Sequence, residues 1–450
     1  MASTESDIRP NRLDKAEIDD NFRDLHPPLS RSEALIEADR CYFCYDAPCI
    51  AACPTGIDIP GFIQKIRSDN IRGSAHTILR ENIMGGMCAR VCPTEVLCEE
   101  ACVRTTHEDK PVEIGLLQRY ATDPIFEHGT QLFQAGEVSG KTVAVVGGGP
   151  AGLSCAHRLA MLGHQVTIYN RDTKPGGLNE YGIAAYKTVD DFAQREVRYI
   201  LSIGNIDVEN GVALGVHFTL ADLREKHDAV FLGIGLGAVN DLGLDDEGVP
   251  GVEDAVDYIA KLRQAGDKST LPVGRRVVVV GGGMTAIDIA VQSKCLGAED
   301  VVIVYRRGAD QMGASEFEQN LAQTSGVTIL HWAAPVALNR IAGGGITLQM
   351  EKTQLDADGK LRTTGESFAL EADVIFKAIG QTLADESLGK EQGGLQIVNG
   401  KIIVDADQAT SIDGIWAGGD CVAGGDDLTV SAVQHGKIAA IAIDRSLRNG

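Results

Sequence analysis

Two apolar patterns divide the chain. Before residue 125 the apolar positions recur at helical spacing in short runs, which predicts helices over residues 30–40, 59–70, 73–81 and 114–122. From residue 141 on, near-continuous apolar runs predict buried parallel strands over 141–146 (KTVAVV), 165–169, 231–235, 276–280 (RVVVV), 300–305, 376–380 and 414–421, with a helix over 153–162. Residues 1–30 read as a polar arm, and 127–139, which lack a period, as a linker.

Two of these strands run into glycine. The first leads to Gly147-Gly148-Gly149-Pro150-Ala151-Gly152, then a helix and a second strand. This is the dinucleotide fingerprint in its strand–turn–helix–strand frame, where glycines let backbone N–H groups approach a pyrophosphate. The second leads to Gly281-Gly282-Gly283-Met284-Thr285-Ala286, with Ala286 in place of the third glycine. Two fingerprints point to two dinucleotides; the plainer alternative for the second is a degenerate fold without ligand. At the ribose position an acid suits free hydroxyls and arginine suits a 2′-phosphate. The second unit ends in Arg306-Arg307, which favours NADPH unless these are only solvated charges. The first has Asn170 there, so a ribose bond falls to its amide oxygen or to Asp172. Asp288 reads as a helix-start charge. His435 and Lys437 lie in a predicted final helix, facing either a flavin dinucleotide at the first fingerprint or solvent.

Eight of the eleven cysteines fall in two groups, Cys41-x2-Cys44-x4-Cys49-x3-Cys53-Pro and Cys88-x3-Cys92-Pro-x4-Cys98-x3-Cys102. The first looks like a ferredoxin run with two residues inserted. Two 4Fe-4S clusters would take all eight. Structural zinc favours short C-x2-C knuckles, and disulfides need an oxidising compartment. Residues 1–30 have no apolar secretory core, so the expected location is cytoplasmic. Cys155, Cys295 and Cys421 read as packing thiols.

Composition narrows the rest. At 450 residues and 44% hydrophobic, the chain is expected to form about three domains. A net charge of −22 argues against nucleic acid or an anionic membrane as partner, and no apolar run reaches the ~18 residues of a membrane span. The expected fold is α/β: a helical two-cluster iron–sulfur domain (1–130), then an FAD domain (140–265 and 381–450) split by an inserted NAD(P) domain (270–380).

Residues 30–450 resemble the dihydropyrimidine dehydrogenase family: the N-terminal half of the animal enzyme, its stand-alone bacterial counterpart and, more distantly, the glutamate synthase small subunit. The segments that carry the likeness are RCYFCYDAPCIAACPTGIDI, MCARVCPTEVLCEEAC and IGLLQR. The resemblance implies that Cys41, Cys44, Cys49 and Cys102 hold one 4Fe-4S cluster and that Cys53, Cys92, Cys98 and Gln118 hold the other. Cys88, the eighth ligand by spacing, is then a bystander. It implies FAD contacts at Gly149, Pro150, Ala151, Gly177, Leu178, Lys187, Asp420 and Thr429; the residues themselves add Gly147 and Gly152 of the fingerprint, Asn170, which replaces the family's common acid, and Gly419. NAD(P) contacts fall at Gly281, Gly283, Met284, Thr285, Ala286, Arg306, Arg307, Ala378 and Gly380. An arginine used on the 2′-phosphate in the animal enzyme is Gly313 here, which keeps NADH open. The expected function is electron input: NAD(P)H to FAD, through two clusters, to an FMN-containing partner subunit resembling PreA that reduces uracil or thymine. The rival readings are a glutamate synthase small subunit, a redox sensor, and a reductase of a diffusible carrier.

Overall fold

A computed structural model describes residues 13–245, 247–340, 345–384, 388 and 394–449. It divides into two compact units.

The larger unit holds residues 26–180, 190–238 and 382–450. Its sheet is five-stranded and parallel, in the order Ile415–Ala417, Ala229–Leu232, Thr142–Val146, Gln165–Asn170, Ile206–Asn210. The first fingerprint strand therefore lies at the centre. Its alternation is visible in the packing: Val143 and Val145 face one apolar cluster, Ala144 and Val146 the other. On the first face, helices Pro150–Met161 and Thr429–Asn449 pack so closely that a Cβ on Gly436 would stand 2.1 Å from the Ala151 carbonyl oxygen.

The same unit contains the cysteine-bearing helices. Helix Arg31–Asp39 starts on a capping box, with Ser30 Oγ accepting from Glu33 N–H and Glu33 accepting from Ser30 N–H, and it delivers the chain to Cys41. Arg40 then donates to the carbonyls of Lys110 and Pro111, both at 2.7 Å, tying that entrance to the stretch before helix Ile114–His128. Phe62, Ile63, Ile66, Ile78, Leu117 and Ala121 form the core between these helices. Helix Ile114–His128 continues past the predicted stop at 122 and through Pro124, because Ile125 and Phe126 are buried in the sheet's core cluster.

The smaller unit holds residues 1–25, 181–189 and 239–381. Its parallel sheet runs Val252–Asp254, Val374–Ala378, Arg276–Gly281, Asp300–Tyr305, Thr328–His331. The second fingerprint strand is again central. A three-stranded antiparallel sheet, Ala333–Arg340, Ile346–Leu355 and Leu361–Ala372, precedes the strand Val374–Ala378. Residues 252–264, placed with the first fingerprint by sequence, belong here: Val252–Asp254 pairs with Val374–Ala378 and helix Ala255–Gln264 packs on both strands.

The polar arm is corrected from Leu13 on, residues 1–12 lying outside the described residues. Helix Lys15–Asn21 is capped by Asp14, and Ile18 and Phe22 are buried in a cluster with Tyr258 and Ile259. Asp288 is corrected too. It is a buried acid rather than a helix-start surface charge: Lys187 Nζ lies 2.8 Å from it and 2.7 Å from Glu318, and the Tyr186 hydroxyl donates to it at 3.3 Å. Among the described residues, no helix is long and apolar enough to cross a membrane.

Candidate functional site

The cysteines stand around two cavities. Cys41, Cys44, Cys49 and Cys102 line one, which holds about 370 Å³ of empty space including its mouth to solvent and is otherwise walled by side chains such as Ala47, Ile59, Ile63 and Val112. Cys53, Cys88, Cys92, Cys98 and Gln118 line the other, of about 390 Å³. Each set draws on both sequence groups. Cys49 lies in the short helix Pro48–Ala52 and Cys53 ends it, while Cys88 lies in helix Gly85–Val91 and Cys92 ends that. Sequence reading missed both helices. Among the described residues, no three His, Cys, Asp or Glu side chains meet as a site for one metal ion. Four thiols spread around a cavity are the donor set of a polynuclear iron–sulfur centre rather than of a single zinc. Burial, with neighbouring thiols, raises Cys41, lifts Cys49 to about 12 and holds Cys98 well above the usual thiol range. Thiolate formation there requires a cation.

The two candidate eighth ligands share the second cavity. Gln118 is buried and its Nε2 donates to the Gly85 carbonyl at 2.6 Å, leaving Oε1 unspent. Cys88 is buried too, one helical turn before Cys92, whose N–H donates to the Cys88 carbonyl at 3.0 Å.

One residue near this cavity carried no sequence motif. Helix Gly85–Val91 has no side-chain N-cap, and Glu196 supplies the acceptor: its Oε1 takes the N–H groups of Gly86 and Met87, each at 3.0 Å. A glutamate on the apolar face of Phe192–Leu201 was the available signal. Complete burial lifts its carboxyl to about 8. A carboxyl raised above its unfolded value near 4.5 favours the folded state fully below that value and loses this contribution as pH rises through about 8. Glu196→Gln is therefore expected to flatten the pH dependence of the unfolding midpoint over that window; an unchanged profile in thermal melts refutes it.

Lys437 does not stand in solvent. Its Nζ is buried and donates at 3.0 Å to the carbonyls of Thr55 and Glu81 and to the Glu81 carboxylate. His435 accepts from Gly419 N–H at 3.1 Å.

At the first fingerprint, Gly147 has φ 102°, and a Cβ there would lie 2.2 Å from the Gly233 carbonyl oxygen. A Cβ on Gly152 would lie 1.9 Å from the Gly147 carbonyl oxygen. Gly149 is different: only the Gly177 Cα comes within reach, at 3.7 Å. It begins helix Pro150–Met161, which has no side-chain cap. Packing glycines thus flank an open one beside free helix-start donors, which fits a pyrophosphate. Gly177 abuts Gly149, and Gly419 abuts Ala151. Thr429 is linked through Asn179, next to Leu178, by a 2.8 Å hydrogen bond. Asp420 is half-buried and lifted to about 6 by that burial, with Asp427 adding to it. Asn170 is committed to protein: its oxygen accepts from Gly148 N–H at 3.3 Å and its nitrogen donates to Asp172 O and Asn210. It braces the turn. Lys187 belongs to the smaller unit, paired as described above.

The second fingerprint repeats the design. Gly281 presses on the Ala378 carbonyl oxygen, 2.1 Å from its would-be Cβ, whereas nothing lies within 4 Å of a Cβ on Gly283. Helix Met284–Cys295, which carries Thr285 and Ala286, again lacks a side-chain cap. Arg306 and Arg307 are exposed at the end of the second strand. Gly313 faces the Gly282–Gly283 turn, and Gly380 sits beside Asn240.

Residues 18–130 match the family model described as dihydropyrimidine dehydrogenase domain II, 4Fe-4S cluster, and residues 141–436 match the pyridine nucleotide-disulphide oxidoreductase model. The chain is 35% identical over 428 residues to the PreT homolog of NAD-dependent dihydropyrimidine dehydrogenase from Salmonella typhi, covering 95% of this chain and 98% of that one. It is 32% identical to the small chain of the NADPH glutamate synthase of Escherichia coli, over 97% and 95% of the two chains. FprA of Mycobacterium tuberculosis, solved with NADPH, shares the fold at a TM-score of 0.58 and 18% identity, covering 69% of this chain and 85% of its own. By domain content and by near full-length likeness, the chain belongs to the pyridine nucleotide-disulphide oxidoreductases, in the family of the PreT subunit of NAD-dependent dihydropyrimidine dehydrogenase.

Proposed function

We propose that this chain is the electron-input subunit of a dihydropyrimidine dehydrogenase. It oxidises NAD(P)H at FAD and passes electrons through two 4Fe-4S clusters to an FMN-containing partner subunit, which reduces uracil or thymine to the 5,6-dihydro form. Nicotinamide releases a hydride pair and iron–sulfur centres accept single electrons, and bound FAD supplies the conversion between them.

One observation carries the reading. Thr429, a proposed FAD contact, is followed directly by Val430, which forms part of the second cavity's wall. One helical turn thus serves both the flavin site and a four-ligand cavity. The residues divide the work accordingly. The uncapped helix start at Gly149 takes the FAD pyrophosphate, and the one at Gly283 takes that of the nicotinamide dinucleotide. Arg306 and Arg307 favour a 2′-phosphate. The first cavity receives Cys41, Cys44, Cys49 and Cys102 as ligands, and the second Cys53, Cys92, Cys98 and Gln118.

The likeness to the glutamate synthase small chain favours a second reading, the same device with another partner. In that family the second cysteine group is expected to be more compact, C-x3-C-x3-C, so the spacing here favours the pyrimidine reading. The isolated chain should reduce a dye with NADH or NADPH and leave uracil untouched until an FMN-bearing partner is added. Uracil turnover by the chain alone would sink the partner claim, and absence of dye reduction would sink electron input. Turnover restored only by a glutamate synthase large subunit would select the second reading.

A further inference from the structure

Asn82 lies between helix Ile71–Glu81, which it ends, and helix Gly85–Val91. It is fully buried and lines the second cavity beside Cys53, Cys92 and Cys98. Its Oδ1 accepts from Met84 N–H at 3.1 Å. That bond fixes the amide's orientation, since only the oxygen accepts. Nδ2 is then left buried with no hydrogen-bond partner among the described residues. An unsatisfied buried donor costs about 1–3 kcal/mol, so one in a cavity wall marks where an acceptor belongs. The other polar side chains at this wall differ. The Gln118 amide nitrogen is spent on Gly85, the Thr94 hydroxyl stands beside the Glu99 carboxyl, and the Thr55 hydroxyl, just outside the lining, is 3.3 Å from Cys53 Sγ.

We propose that Asn82 Nδ2 donates a hydrogen bond to a sulfur of the iron–sulfur centre in the second cavity and thereby raises its reduction potential. Reduction adds negative charge to the sulfurs, and a fixed N–H dipole stabilises the reduced form more than the oxidised one. Asn82 is a positioning residue: it ligates no iron and acts on the centre's charge. Among the described residues, no asparagine or glutamine side chain lines the first cavity. The effect should therefore be confined to one centre.

This inference rests on the reading of the second cavity as a cluster site, and the experiment separates the two. The anaerobically purified wild-type chain is first assayed for iron; roughly four rather than eight irons would defeat the cluster reading itself. Potentials are then measured by redox titration followed by electron paramagnetic resonance, on wild type and on Asn82→Leu. The expected result is unchanged iron, a lower potential for one centre and no shift for the other. In D2O-exchanged wild type, that centre should also show a deuteron coupling that the variant lacks. Asn82→Asp keeps the acceptor for Met84 and removes the N–H donor but adds a charge, so if the leucine variant fails to fold its readout is the loss of the deuteron coupling rather than the potential. Unchanged potentials and an unchanged deuteron coupling, with iron intact, would overturn the proposal.

Discussion

Gly152→Ala is expected to yield a chain that binds flavin at least tenfold more weakly and is destabilised by about 1–3 kcal/mol. The added Cβ would sit 1.9 Å from the Gly147 carbonyl oxygen and 3.1 Å from Val145 Cγ1. The oxygen is a backbone atom, so no rotamer change relieves the clash. Gly147 cannot retreat either, because its own Cβ position is blocked by the Gly233 carbonyl. Helix Pro150–Met161 must therefore move off the sheet and take the uncapped donors at its start with it. Gly149→Ala is the contrasting change. Its Cβ meets the protein only at ordinary contact distance, so stability should hold while flavin affinity falls, the methyl standing where the pyrophosphate approaches. Visible absorbance of the purified variants and their thermal midpoints decide the matter. Full flavin occupancy in Gly152→Ala would refute the packing argument.

Gln118→Ala is expected to halve the iron content, from roughly eight per chain to roughly four, whereas Cys88→Ala leaves it unchanged. Both side chains line the second cavity, but their surroundings differ. The Gln118 amide is held by Gly85 with its oxygen unspent, while Cys88 lies inside helix Gly85–Val91, one turn before Cys92, which the proposed ligand set already contains. Iron lost from the cysteine variant and kept in the glutamine variant would exchange their roles.

Much of this was legible because the signals were dense. The strand at Arg276–Gly281 follows from four consecutive valines, and its place at the sheet centre from the glycines that end it. The N-terminal helix was missed because the apolar residues that its segment contributes to a core, Leu13, Ile18, Phe22 and Leu25, are scattered among charges. Pro124 concealed the last six of the helix's fifteen residues, since a lost N–H normally ends one; here burial of Ile125 and Phe126 outweighs that bond. The alternation of Ile346, Leu348 and Met350 marked a strand that the search for nucleotide motifs passed over. Asn82, Glu196 and Lys437 are single polar residues in helices or at their ends, and only their tertiary surroundings distinguish them from surface side chains.

The crossing of the cysteines has a further result. The chain segment that supplies three walls of the first cavity needs Cys102 from far downstream to close it, and Cys53, its own last member, is surrendered to the other cavity. With the proposed ligand sets, the first centre waits for Cys102 and the second for Gln118, so neither would be complete on a shorter nascent fragment. Metal loading should therefore follow synthesis of this whole region, and fragments cut between residues 53 and 88 should retain neither centre.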